Sequence, residues 1–174
     1  MTQILETPKL LLRHLVPQDL DSLYALYRDP DMRNFFPEGT LSLEDTKREL
    51  EWHEHGHPRH PELGLWATVH KASGQFIGRC GLIPWTIEGI FEVEVAYMID
   101  KRYWRQGLGS EAALALVRYG FDTLHLARII ALIDPAHTAS IHTAQKAGLA
   151  FEREIEMDGL PVVVYAIGQA RPAA

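Results

Sequence analysis

Three runs of period-two patterning follow one another over residues 65–70, 75–85 and 91–99, and a glycine pair and an amphipathic helix come directly after them. Alternation of this kind is the mark of a strand with two different faces. Ser73-Gly74 is a turn pair between the first two runs, and strands spaced so closely predict an antiparallel meander. This block excludes an all-helical chain and a regular strand-helix-strand alternation.

The flanking segments fill in the rest. Residues 9–14 (Lys-Leu-Leu-Leu-Arg-His) read as a first strand. Residues 19–28 read as a helix with Leu20, Leu23, Tyr24 and Tyr27 on one face, stopped by Asp29-Pro30. Ser42-Leu-Glu-Asp45 resembles a capping box and starts a second helix that runs to about His55. After the meander, residues 110–123 form the cleanest helix, with Ala113, Leu114, Leu116, Val117 and Phe121 apolar. Residues 128–133 are a short buried strand. Residues 138–147 are a helix with Gly148 at its C-terminal cap. A closing hairpin, 150–157 and 161–167, turns across Asp158-Gly159. The order is β-α-α-β-β-β-α-β-α-β-β: an α+β fold, with a mixed, mostly antiparallel twisted sheet of about six to seven strands and about four helices.

The 174 residues suit one domain spanning 1–174, and 47% apolar content supplies its core without staples. The single cysteine, Cys80, excludes a disulfide framework and a multi-cysteine zinc ribbon. A net charge of −6 argues against nucleic acid as a partner. No apolar run reaches the ~18 residues of a membrane span, and the first residues lack a basic start and an apolar stretch. The expectation is a cytoplasmic protein, monomer or homodimer, with no membrane partner.

Arg105-Gln106-Gly107-Leu108-Gly109-Ser110 joins the meander to its helix. Two glycines let backbone N–H groups turn toward one point, and the helix behind adds about half a positive charge. Together these make a phosphate cradle. The bland alternative is a helix start that merely needed glycines. A dinucleotide fingerprint fits Gly107-Leu-Gly109-Ser-Glu-Ala112 formally, with Asp134 after the next strand. There, however, the strand must run straight into the first glycine, and here residues 100–106 intervene. A phosphate loop of the Gly-Lys-Ser/Thr type is absent.

The stretch Val95-Ala-Tyr-Met-Ile-Asp-Lys-Arg-Tyr-Trp-Arg-Gln-Gly-Leu-Gly-Ser-Glu-Ala112 resembles the GNAT N-acetyltransferases, whose signature is Gln/Arg-x-x-Gly-x-Gly/Ala after the fourth strand. Trp104 replaces its first residue. The Tyr-Trp-x-x-Gly version, the opening Glu6-Thr-Pro-Lys-Leu-Leu-Leu-Arg13 and the Ser140…Lys146-Ala-Gly-Leu149 segment are similar to the branch of ribosomal-protein N-terminal alanine acetyltransferases. The resemblance covers about residues 6–168. It implies acetyl-CoA as co-substrate, without a metal. The backbone of Tyr97, Met98 and Ile99 would pair with the pantetheine arm. Residues 105–110 would bind the pyrophosphate, and residues 134–140 would flank the arm. The family's asparagine at the start of the last helix is His137 here, which puts an imidazole at a CoA-binding position and makes it a second candidate base.

Acetyl transfer to an amine needs a neutral nucleophile, and an alkylamine with a pKa near ~10.4 is mostly protonated at pH 7. A general base therefore matters by roughly 10²–10⁴-fold. Alternation puts Glu92 and Glu94 on one face of their strand, and Glu94, just before the pantetheine stretch, is the base candidate. A backbone N–H around Val95 or Ala96 is the oxyanion donor. Ser140 fits the branch's Asn-x-x-Ser pattern as the acid for the leaving thiolate. Elsewhere in the family a tyrosine one turn on does this work, and that place is Ala144.

Other residues attract plainer readings. His53, His55, His57 and His60 crowd one loop, read as solvated or acceptor-facing rather than metal-binding. Trp52, Trp66 and Trp85 are core or cleft aromatics. Phe35-Phe36-Pro37 lines the acceptor site or anchors the core. Cys80 is a buried small residue, and Glu152, Glu154, Glu156 and Asp158 form the wet face of an edge hairpin. The reading favoured is an acetyl-CoA-dependent N-acetyltransferase acting directly on a primary amine, either a peptide N-terminus or a small molecule. The alternative is an acyl-CoA-binding sensor or interaction module without turnover.

Overall fold

A computed structural model describes residues 3–171. Eight strands form one sheet: β1 (Gln3–Glu6), β2 (Leu10–Arg13), β3 (Gly64–His70), β4 (Gln75–Ile87), β5 (Ile90–Ile99), β6 (Arg128–Ile133), β7 (Ala150–Met157) and β8 (Leu160–Gly168). Five helices accompany them: α1 (Leu20–Tyr27), α2 (Pro30–Arg33), α3 (Leu43–His53), α4 (Leu108–Asp122) and α5 (Thr138–Lys146). The sheet order is β1-β2-β3-β4-β5-β6-β8-β7, antiparallel except for the β5–β6 pair. The meander is β3-β4-β5, as its patterning predicts.

Two elements exceed the sequence expectation of six to seven strands and four helices. Strand β1 is four residues long, too short to show a period, and it forms by pairing with β2. Helix α2 starts at the dipeptide that stops α1. Pro30 cannot continue the first helix, but it suits the first turn of the next, and the Asp29 carboxylate accepts from the Asp31 N–H at 3.0 Å. Elsewhere the local signals act as read. Ser42 accepts from the Asp45 N–H at 3.1 Å to cap α3. Gly148, at φ +96°, ends α5, and Asp158 and Gly159 both take positive φ in the β7–β8 turn.

The core lies on both faces of the sheet. On one, Cys80, Leu82, Val93, Val95 and Ile99 pack against Leu108, Ala112, Ala113, Leu116 and Val117 of α4, while Leu114 and Phe121 are only partly buried. Each fully enclosed leucine contributes about 2 kcal/mol through removal from water. On the other face, Leu23, Leu26 and Tyr27 of α1 and Leu50 of α3 cover Ala67 and Met98. Alternation along β4 and β5 therefore sends Arg79, Gly81, Ala96 and Glu94 toward the α1–α3 side, and Cys80, Val95 and Tyr97 toward α4 and α5.

Candidate active site

The parallel β5–β6 pair has one registered position, Glu94 opposite Ile130. Among the described residues β5 has no strand partner on that side from Val95 to Ile99, although it stays paired with β4 throughout. The two strands part at Glu94, and the backbone groups of β5 on its open edge face a gap instead of a neighbour. Val95, Ala96, Tyr97, Met98 and Ile99 all border this gap.

Glu94 stands at the point of divergence. The Trp85 indole Nε1 donates to its Oε2 at 2.7 Å. Enclosure of the carboxyl end pushes its pKa up to about 7, because burial penalises the charged form. The hydrogen bonds from Trp85 and from the Leu132 backbone pull the other way and lose. The carboxylate is thus poised to exchange a proton near neutrality.

The glycine loop closes the far end of β5. Gly107 precedes α4 at φ +77°, a left-handed conformation, and no side chain caps the helix. The positive end of α4 is left to a ligand. A Cβ on Gly107 would meet no atom within 4 Å, so the space over the loop is open. Arg105, too, holds a positive φ of 62°, a strain of the sort that collects at ligand clamps. Trp104, the departure from the family signature, donates its indole N–H to the Ile99 carbonyl at 2.7 Å. This ties the loop to the end of β5 and occupies the Ile99 oxygen, leaving the Tyr97 backbone free on the same edge.

Across the gap lies the start of α5. The Tyr97 hydroxyl donates to the Ser140 carbonyl at 2.8 Å, and the Ser140 Oγ donates to the Tyr97 oxygen at 3.2 Å. Burial raises the Tyr97 pKa, so the phenol stays neutral. His137 precedes the helix and stacks on Phe35, with ring centroids 4.1 Å apart and planes 12° apart. Burial lowers its pKa and keeps the ring neutral. Strand β5 therefore carries the whole line: Glu94 where it leaves β6, Tyr97 against Ser140, and Ile99 against Trp104.

A model of the GNAT acetyltransferase domain matches residues 9–150. An uncharacterised protein of Bacillus subtilis, YkkB, is 32% identical over 162 residues, covering 92% of this chain and 93% of its own. A GNAT-family acetyltransferase structure from Bacillus anthracis superposes with a TM-score of 0.80 at 24% identity, covering 96% of this chain and 98% of that one. A ribosomal-protein-S5-alanine acetyltransferase from Vibrio fischeri has the same fold, with a TM-score of 0.74 at 16% identity and 97% of each chain covered. The chain belongs to the GNAT acetyltransferase family. It is an N-acetyltransferase, and acetyl-CoA is the acetyl donor of that family.

Within this GNAT domain several expected roles change. Glu92, on the same face as Glu94, is buried in an ion pair with Arg128, whose Nε approaches at 3.0 Å. The same Arg128 draws in Glu152, so one member of the acidic hairpin set is structural, while Glu154, Glu156 and Asp158 face water on the edge strand. Trp66 is a core residue, Trp85 is the Glu94 partner, and Trp52 is 54% exposed. Of the loop histidines, His53 is buried at the end of α3 and its Nδ1 accepts from the Leu65 N–H at 3.1 Å. Burial lowers its pKa to about 4. Among the described residues no three metal-ligating side chains converge. Phe36 packs under α1 while Phe35 reaches the site through His137. Cys80 is buried.

Sequence reasoning missed Tyr97 as a side chain and Arg79 altogether. Tyr97 was singled out for its backbone, and nothing local shows that its hydroxyl meets α5, 43 residues on. Arg79 left one weak signal, a charge amid a strand otherwise apolar or small (Phe76-Ile-Gly-Arg-Cys-Gly-Leu82).

Proposed function

We propose that the protein transfers an acetyl group directly from acetyl-CoA to a primary amine in a ternary complex. Residues 105–110 and the uncapped start of α4 hold the pyrophosphate, Tyr97 and Met98 offer backbone to the pantetheine arm beside Ile99, and His137 borders it with its ring fixed by Phe35. Glu94 takes the proton of the acceptor ammonium, directly or through water. A backbone N–H of Val95 or Ala96 faces the oxygen on which charge develops. As the new N–C bond forms and the C–S bond breaks, Ser140 turns its hydroxyl from Tyr97 to the sulfur and supplies the proton of the leaving thiol, and the second proton lost by the amine nitrogen, relayed through water, restores the serine hydroxyl. Acetyl-CoA supplies the activated acyl group.

The observation that carries this reading is Glu94, a carboxyl with a pKa of about 7 at the point where β5 leaves β6. Isothermal titration is expected to show micromolar binding of acetyl-CoA and CoA and none of NADH. Glu94→Gln is expected to lower kcat roughly 10²–10³-fold with acetyl-CoA affinity retained. Absence of acetyl-CoA binding would sink the proposal. One observation favours the alternative, a CoA-binding module without turnover: the Ser140 hydroxyl is already engaged by Tyr97. Tight CoA binding without acetylation of any member of a broad amine panel would select it.

A further inference from the structure

On the α1–α3 side of the sheet, two rows from Glu94, a cation lies buried without a full set of partners. Arg79 is 5% exposed. Its Nε donates to the Tyr27 hydroxyl at 2.8 Å, and that hydroxyl in turn bonds Glu49. The two terminal nitrogens make no hydrogen bond with any described residue, yet neither is a fully enclosed atom. The guanidinium carbon lies 5.6 Å from the Tyr27 ring and 5.6 Å from the Phe36 ring.

A second guanidinium shares this box. Arg33 is 4% exposed and lies 4.2 Å over Phe36 and 5.2 Å from Tyr27. Arg33 donates from Nε to the Gly39 carbonyl at 2.7 Å and from Nη2 to Glu38 at 3.2 Å, a carboxylate itself 65% exposed. Two buried cations thus have two carboxylates, the exposed Glu38 on Arg33 and the half-buried Glu49, which reaches Arg79 only through the Tyr27 hydroxyl. Burying a charge is costly unless a partner and hydrogen bonds compensate it. The deficit is one of direct partners for the Arg79 terminal nitrogens, which no carboxylate among the described residues touches.

The deficit opens toward the site. The registers Arg79–Met98, Gly81–Ala96 and Ile83–Glu94 place Arg79 and Glu94 on one face, with two small residues between them. Ala96 remains partly exposed there. Two rows separate the Arg79 and Glu94 backbones by about 13 Å, close enough that the Arg79 charge pulls the Glu94 pKa down against its burial.

We infer that the acetyl acceptor is an amino carboxylate: its amine lies at Glu94, and its carboxylate is taken by the terminal nitrogens of Arg79. This rests on the acetyltransfer reading above. A guanidinium fork matches a carboxylate in a way that an ammonium does not, and in a box closed by Tyr27 and Phe36 such a pair is shielded from water. Two sources share this chemistry, a free amino acid and a peptide whose acidic side chain follows its N-terminal amine.

The test pairs each carboxylate with its amide. Glycine, β-alanine and γ-aminobutyrate are compared with glycinamide, β-alaninamide and γ-aminobutyramide, and Gly-Asp-amide with Gly-Asn-amide. Binding to the CoA-saturated protein and acetylation are both read. The carboxylate member of at least one pair is expected to be preferred about tenfold or more, and which pair it is identifies the source. Arg79→Met is expected to reduce that preference to the level of the amide while acetyl-CoA affinity persists, and Arg79→Lys to restore part of it. Equal use of both members, binding of no carboxylate amine, or a preference that survives in folded Arg79→Met would overturn the inference. If the variant fails to fold, the wild-type comparison still decides. Amide and carboxylate turnover at equal rates would leave the acetyltransfer reading intact, whereas loss of acetyl-CoA binding would remove both.

Discussion

Glu94 and Trp85 form the unit on which the proposed chemistry turns. Burial pushes the carboxyl toward neutrality, and the indole bond restrains that shift. Removing the donor is therefore expected to raise the pKa further. In Trp85→Phe the acid limb of the pH–rate profile should move to higher pH by about one unit, with the plateau above it largely preserved. An unmoved limb would show that Glu94 is not the titrating base. Trp85 is 37% exposed, so the substitution leaves the core alone.

The glycine loop and α4 make a second unit, in which backbone conformation matters more than side-chain contact. Gly107 is left-handed and its Cβ position is empty. The Cβ of Gly107→Val meets no atom of the protein within 4 Å, and the left-handed φ makes backbone strain of about 1–2 kcal/mol its main cost. The helix should persist by circular dichroism. The first-turn amides of α4 would shift and a branched side chain would fill the cradle, so acetyl-CoA affinity is expected to fall about tenfold or more by titration. Unchanged affinity would show that the loop does not hold the pyrophosphate. The α5 side is less sensitive to such strain, since Tyr97 and Ser140 are joined by two hydrogen bonds rather than by an unusual φ.

Across the molecule, two buried groups give stability opposite dependences on pH. His53 titrates near 6.5 when unfolded and near 4 when folded, so its contribution is complete above pH 6.5 and is lost as pH falls toward 4. Glu94 titrates near 4.5 unfolded and about 7 folded. Its folded state binds the proton more tightly, so its contribution is complete below pH 4.5 and is lost as pH rises to 7. The two slopes oppose each other between about pH 4.5 and 6.5. Glu94→Gln removes one of them. Relative to wild type, the variant is expected to gain about 2 kcal/mol on going from pH 4.5 to pH 7, measured by urea unfolding at both. A constant difference would mean that the carboxyl is solvated in the folded state.

Much of this architecture was legible before any coordinates. Period-two runs located β3, β4 and β5, and Ser42, Pro30, Gly148 and Asp158-Gly159 marked the ends of helices and the last turn, because caps and turns are decided by neighbours in the chain. The glycine loop was legible for the same reason, and Glu94 and Ser140 were legible as candidates through the family resemblance of the segments that carry them. Strand β1 was not, because four residues become a strand only when β2 pairs with them. Nor was the burial of Glu92, which depends on Arg128, 36 residues later. The parting of β5 from β6 at Glu94, the Phe35–His137 stack, the Tyr97–Ser140 bonds and the open end of Arg79 belong to the same class. Local patterning settles which residues become strand, helix and turn. Which of their side chains meet, and so which charges are shielded or left unpaired, is set by contacts between segments distant in the chain, and only the packed sheet and helices decide it.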